Sequence, residues 1–166
     1  MMAQIKADGV AVYVYRRSGE RVEFLQVRRS AQTGEYQHSW QTVYGGIEAG
    51  ETAVQAAVRE LAEETGLRPR AMVQVEYLES FYFQHTDHVT VMPVFAVEVA
   101  ADDAITLNDE HDAWRWVDSA ALETHFMWQT QLEALRIALA EIQRPGMARR
   151  FLAIDVTKLR PPELGH

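Results

Sequence analysis

The chain has 166 residues, enough to bury one substantial core, and its 48% apolar and 24% charged content is that of an ordinary globular protein. A formal charge of −8 argues against sequence-independent binding to nucleic acid or anionic membrane, and the lack of cysteine removes disulfides, thiolate ligands and a thiol nucleophile. The start, MMAQIKADGVAVYVYRR, lacks a basic-then-apolar leader, and no apolar run reaches membrane-spanning length, so a cytoplasmic protein is expected.

No repeat, low-complexity tract or linker interrupts residues 5–143, which predicts a single domain over 1–166 with a core at about 5–143 and an extension at 144–166. Ile5 to Tyr15 alternates with Val10, Val12 and Val14 on one face and predicts a strand; Ser18-Gly19-Glu20 turns the chain into a second strand, Val22 to Arg28. Trp40 to Tyr44 is a short strand after a polar loop. A helix is expected from about Thr52 to Gly66, which stands in the C-cap position. Met72 to Gln84 and Val89 to Val99 predict two long strands about a turn at His85-Thr86-Asp87, with Pro93 requiring an edge or a bulge. Ala113 to Val117 is a further strand, capped by Asp118-Ser119 ahead of a short helix at Ala120 to Thr124. Trp128, Leu132, Leu135, Leu139 and Ile142 form one apolar stripe, predicting a second long helix from Trp128 to Gln143. The tail is expected to add a strand near Phe151 to Val156 and then fray. Strands interleaved with two one-sided helices imply a sheet covered on both faces.

Residues 45–67, GGIEAGETAVQAAVRELAEETGL, carry five acids and one base. On a helical wheel with Glu60 at zero, Glu64 lies roughly 40° to one side and Glu63 roughly 60° to the other, so their carboxylates share a narrow arc. Val54, Ala57, Val58 and Leu61 fall between roughly 60° and 160°, so the acids flank the apolar stripe instead of opposing it. Like charges so placed repel, more strongly as the dielectric falls, and a divalent cation with an affinity for hard oxygen, Mg²⁺ or Mn²⁺, removes that penalty.

The framework is Gly45, five residues, Glu51, seven residues, Arg59-Glu60-Leu61, then Glu63-Glu64 and Gly66-Leu67. It resembles, at every defined position, the Nudix box, G-x5-E-x7-R-E-U-x-E-E-x-G-U with U apolar. The resemblance implies an α/β fold, an α/β/α sandwich with a mixed β-sheet between helices, and hydrolysis of a phosphoanhydride in a nucleoside diphosphate linked to a further group. It implies Glu60 and Glu64 as principal metal ligands, the Gly45 carbonyl as a further ligand, Glu63 as ligand or general base, and Glu51 paired with Arg59 as a brace. A later loop in such proteins adds an acid; Glu110 is the candidate, with Asp109 and Asp112 as competitors. For phosphate-facing cations Arg28 and Arg29 come first, one of the pair pointing away if the strand is regular, and Lys6 third. Tyr36, Trp40, Phe81, Tyr82 and Phe83 are the base-stacking candidates. The spacing of His38, His85 and His88 fits no zinc site.

Outside the box, LQVRRS, HSWQTVYGG and EHDAWRWVDSAAL resemble the bacterial dihydroneopterin triphosphate pyrophosphatases, a branch also labelled dATP pyrophosphohydrolases. The sequence departs from that branch at Tyr44-Gly45-Gly46, where a smaller residue and Gly-Ser are usual. The expectation is a Mg²⁺-dependent enzyme, monomer or homodimer, cleaving a small nucleoside or pterin triphosphate to monophosphate and pyrophosphate. The alternative is a dinucleoside polyphosphate or RNA 5′-pyrophosphohydrolase, in which Tyr82 would sit where the dinucleoside enzymes tend to carry a tyrosine. A non-catalytic nucleotide-binding module of the same family is the third class, but such modules lose box acids and all are present here.

Overall fold

The computed structural model describes residues 2–159. Its centre is β2 (Gly9–Ser18), whose side chains alternate between two buried clusters. Val10, Val12 and Val14 face α1 (Ala53–Thr65), where Ala57, Val58 and Leu61 meet them. Ala11, Tyr13 and Tyr15 face α3 (Gln129–Gln143), with Leu132, Leu135, Ala138 and Ile142. A strand buried on both faces has no solvent side, which is why the polar half of its alternation is missing and tyrosine stands in its place.

Among the described residues nine strands form one mixed sheet: β1 (Gln4–Lys6), β2, β3 (Arg21–Arg29), β4 (Trp40–Gln41), β5 (Val43–Gly46), β6 (Ala71–Phe83), β7 (His88–Glu98), β8 (His111–Asp118) and β9 (Ala153–Ile154). The pairs β1·β7 and β2·β7 are parallel and the others antiparallel. With helices on both faces, the molecule is the α/β/α sandwich expected. Short α2 (Leu122–His125) and α4 (Arg149–Leu152) are the other α-helices among the described residues. Among the described residues no helix is long and apolar enough to cross a membrane.

The structure alters the sequence reading at two places. The strand expected over Ile5 to Tyr15 is two: β1 pairs with His88–Thr90 of β7, and β2 pairs with Val94–Glu98. Pro93 falls in the gap between those partners, and on its other side β6 shifts register between Val75 and Leu78, the bulge a mid-strand proline needs. The tail strand is only Ala153–Ile154, because Phe151 and Leu152 belong to the turn of α4; the expected fraying falls largely on 160–166, outside the described residues.

Candidate active site

α1 starts on a capping box: the Thr52 hydroxyl accepts from the Gln55 amide and the Gln55 side chain accepts from the Thr52 amide. It ends at Gly66, whose φ of 71° is left-handed and whose N–H donates to the Ala62 carbonyl. These two ends fix the rotation of the helix, and with it the edge on which Glu60, Glu63 and Glu64 project.

Arg59 ties that edge to the preceding loop. Its Nε and Nη2 donate to the two oxygens of Glu51, both at 2.9 Å, and Nη2 also donates to the Gly46 carbonyl at 2.7 Å. Its Nη1 donates to Glu60 at 2.8 Å and to Glu63 at 3.1 Å. The bidentate bond from Arg59 holds the Glu51 carboxyl below its usual range, and the same bond raises the guanidinium pKa. Glu60 lies directly over Gly45: a Cβ at that position would overlap its carboxylate. Burial pushes the Glu60 carboxyl up, partly offset by Arg59.

Glu64 is different in kind. It is 2% exposed, its Oε2 has no hydrogen-bond partner, and burial, followed by repulsion from Glu60 and Glu110, pushes its carboxyl up to about 9. Beside it is His111, 3.7 Å from Nδ1 to Oε2, with both ring nitrogens unpartnered and its pKa lowered to about 4, by burial first and then by Arg29. The distance invites an ion pair, but near pH 7 both groups are uncharged and 3.7 Å is too long for a hydrogen bond, so the contact is neither. Each buried unsatisfied group costs about 1–3 kcal/mol.

Hard carboxylate oxygens around an orphaned buried oxygen fit a divalent cation in chemistry and proximity. They are not arranged to grip one as they stand: among the described residues no group of three or more His, Cys, Asp or Glu is so placed. Glu60 and Glu63 are turned onto Arg59, which accounts for this.

Of the loop acids, Asp112 is committed to Arg28 at 2.7 Å, and the Glu110 carboxylate is the one that raises Glu60 and Glu64. Glu110 is placed by its carbonyl, which accepts from the Ser30 amide at 2.8 Å, and by its amide, which donates to Asn108 Oδ1 at 3.2 Å.

The glycine under Glu60 also borders a cavity of about 610 Å³ that opens on the α3 side. Tyr36, Phe81, Phe83 and Trp128 wall it, with ring centroids 5.0–6.3 Å apart, mostly edge to face. Tyr36 holds a φ of 54°, unfavourable for an aromatic residue, to put its ring there. The inner end is polar: Glu79, Tyr44, Thr130 and Gln131.

The arginine pair divides as strand alternation requires, the register shift beside it falling on β8, where Asp112 is skipped. Arg29 lines the cavity, its Nε donating to the Glu35 carbonyl at 2.9 Å, while Arg28 turns to Asp112. Lys6 is exposed on β1 and Tyr82, 52% exposed, bonds Asp87; neither lines the cavity. Trp40 lies under the Arg115 guanidinium, 4.1 Å from its ring centroid, also away from the cavity. Sequence reasoning missed His111, Glu79, Gln131 and Trp128 as site residues. Glu79 left a trace, since it shares strand parity with Val73, Val75, Phe81 and Phe83, a lone carboxylate at apolar positions.

A model of the NUDIX domain matches residues 6–136. The chain is 35% identical over 133 residues to an octanoyltransferase of Myxococcus xanthus, covering 79% of this chain and 36% of that protein, so it spans little more than a third of that relative's length. It is 33% identical over 134 residues to an RNA pyrophosphohydrolase of Shewanella piezotolerans, covering 68% of this chain and 73% of that one. Among solved structures it is similar in fold to a C. elegans Ap4A hydrolase in a binary complex, with a TM-score of 0.69, 21% identity, and 83% and 98% of the two chains covered. The acid-edged helix, its glycine-lined approach and the matched span agree: the chain belongs to the NUDIX domain family.

Proposed function

We propose that the protein is a divalent-cation-dependent pyrophosphohydrolase that cleaves a nucleoside or pterin triphosphate to the monophosphate and pyrophosphate. The observation that carries this reading is the junction at Gly45, which lies under Glu60 on one side and borders the aromatic-walled cavity on the other. A ring held in the cavity would place its phosphates at the acid edge.

In this reading Glu60 and Glu64, with the Gly45 carbonyl, would hold the cation, and Glu110 would join them from the loop before β8. Mg²⁺, when bound, withdraws charge from phosphoryl oxygens and makes a coordinated water more acidic. The attacking water oxygen bonds to phosphorus as the anhydride P–O bond breaks and pyrophosphate leaves with the electron pair. Glu63 would take a proton from the attacking water or supply a further ligand. Arg59, braced by Glu51, keeps Glu60 over Gly45, and Arg29, the one arginine or lysine lining the cavity among the described residues, faces the phosphates.

A second reading, hydrolysis of an RNA 5′ end or a dinucleoside polyphosphate, is favoured by the relatives named RNA pyrophosphohydrolase. A net charge of −8 and a single lining arginine weigh against gripping a polynucleotide backbone. The test is hydrolysis with Mg²⁺ of nucleoside triphosphates, dihydroneopterin triphosphate, diadenosine tetraphosphate and a 5′-triphosphorylated oligonucleotide, with products resolved by chromatography. We expect a small triphosphate to lead in kcat/KM by tenfold or more and to release pyrophosphate. An oligonucleotide or dinucleotide in the lead would establish the second reading, and no turnover across the panel would leave a binding module.

A further inference from the structure

The inner end of the cavity is built in a way that hydrolysis does not require. Glu79 is 2% exposed and accepts from the Tyr13 hydroxyl at 2.6 Å on one oxygen and from the Tyr44 hydroxyl on the other. Tyr44 in turn accepts from Gln131 Nε2 at 2.9 Å. Because Tyr44 gives its only proton to the Glu79 carboxylate, its oxygen can receive only a donor, and that fixes which end of the Gln131 amide is nitrogen. Gln131 is 2% exposed and its Oε1 is left with no partner. The Tyr13 and Tyr44 hydroxyls, with Thr130 beside them, serve the Glu79 carboxylate, and one N–H of Gln131 is spent on Tyr44. Both residues line the cavity, where the spare acceptor capacity is the second lone pairs of the carboxylate and the orphaned amide oxygen, beside one unspent N–H of Gln131.

We propose that this floor selects a flat heterocycle carrying an exocyclic amine beside a ring N–H, the donor edge shared by guanine and the pterins, with Glu79 accepting the adjacent pair and Gln131 Oε1 a further donor. Two parallel N–H bonds to one carboxylate are the geometry that makes arginine–carboxylate recognition specific, and an amine next to a ring N–H presents the same fork. The walls of Phe81, Phe83, Tyr36 and Trp128 give the ring apolar faces to lie between. Adenine, with an amine but no ring N–H at neutral pH, can satisfy only part of the floor. Uracil and thymine turn carbonyl oxygens toward it and leave acceptors opposed. A buried acceptor left unpaired is costly, so discrimination by such a floor is large. This inference rests on the reading above only in assigning the cavity to the base of the substrate.

The test is equilibrium binding without metal, in EDTA, so that it does not depend on turnover. Titrations of the full chain with GMP, IMP, AMP and CMP, and separately with guanosine and 7,8-dihydroneopterin, can follow tryptophan fluorescence or heat. We expect GMP to bind at least tenfold more tightly than AMP or CMP, and IMP, which lacks the amine but keeps the ring N–H, to lose most of that advantage. Dihydroneopterin against guanosine then tells which ring the cavity prefers. Glu79→Gln should abolish the GMP preference, and Gln131→Leu should reduce it; wild-type GMP against IMP needs no variant and stands if Glu79→Gln fails to fold. AMP or CMP binding as tightly as GMP, IMP equal to GMP, or no detectable binding of any of them overturns the inference. Triphosphate hydrolysis that continues without base preference would sink this inference alone, whereas intact preference without hydrolysis would sink the reading it rests on.

Discussion

At Glu64, burial raises the carboxyl to about 9 in the metal-free fold, so the native state holds a proton that the unfolded chain releases near 4.5. The resulting stability is fully present below 4.5 and is lost as pH rises through 9. His111 acts in the opposite sense: with its pKa lowered to about 4 from 6.5, its contribution is present above 6.5 and lost as pH falls toward 4. The two slopes oppose each other between 4.5 and 6.5, leaving Glu64 to dominate from there to 9. In EDTA, the melting temperature should therefore fall between pH 6.5 and 9, and Glu64→Gln should flatten that fall while lowering the Mg²⁺-supported rate by orders of magnitude. An unchanged rate in the variant would remove Glu64 from the site. Gly45→Ala makes a complementary point: the new methyl overlaps Glu60 from Cγ to Oε1, so that side chain must leave its bond to Arg59, and stability should drop by about 1–3 kcal/mol while activity falls tenfold or more. Calorimetry and kcat on the same preparation separate the two effects. The box acids were legible because their spacing and helical phase are local properties of the chain. The unpaired Gln131 and His111 were not, since what isolates a buried polar atom is contributed by elements distant in sequence.

At the level of elements, the ends of α1 were readable because capping is short-range: Thr52 with Gln55 opens the helix and Gly66 closes it. A side chain at Gly66 would be forced into left-handed backbone, so Gly66→Ala should cost about 1 kcal/mol in a denaturant titration. It should also slow hydrolysis, because the last turn carries Glu63 and Glu64; a stability loss with a wholly unaffected rate would show that the helix end does not position them. The division of the first strand into β1 and β2 was not readable, since it is set by which part of β7 each segment pairs with. The choice between Arg28 and Arg29 was open for a related reason: alternation sends the two to opposite faces, but which of those faces borders the cavity is set by elements distant in sequence.

Across the whole molecule, the sandwich separates two kinds of work. The acids ride on α1, over the core that takes in Val10, Val12 and Val14, whereas the cavity opens on the side where α3 covers Tyr13 and Tyr15. The sequence foretold both layers, because each helix shows a single apolar stripe, but not the hollow between α3 and β6, which depends on how far apart the two are held. Gly45 and Gly46 are where the two sides meet, and neither has a side chain to carry a shape from one to the other. Descendants of such a scaffold are therefore free to exchange one preferred ring for another by altering β6 and the opening turn of α3. The bond-breaking apparatus across the sheet would be inherited untouched, and diversification of diet without reinvention of chemistry is what this partition permits.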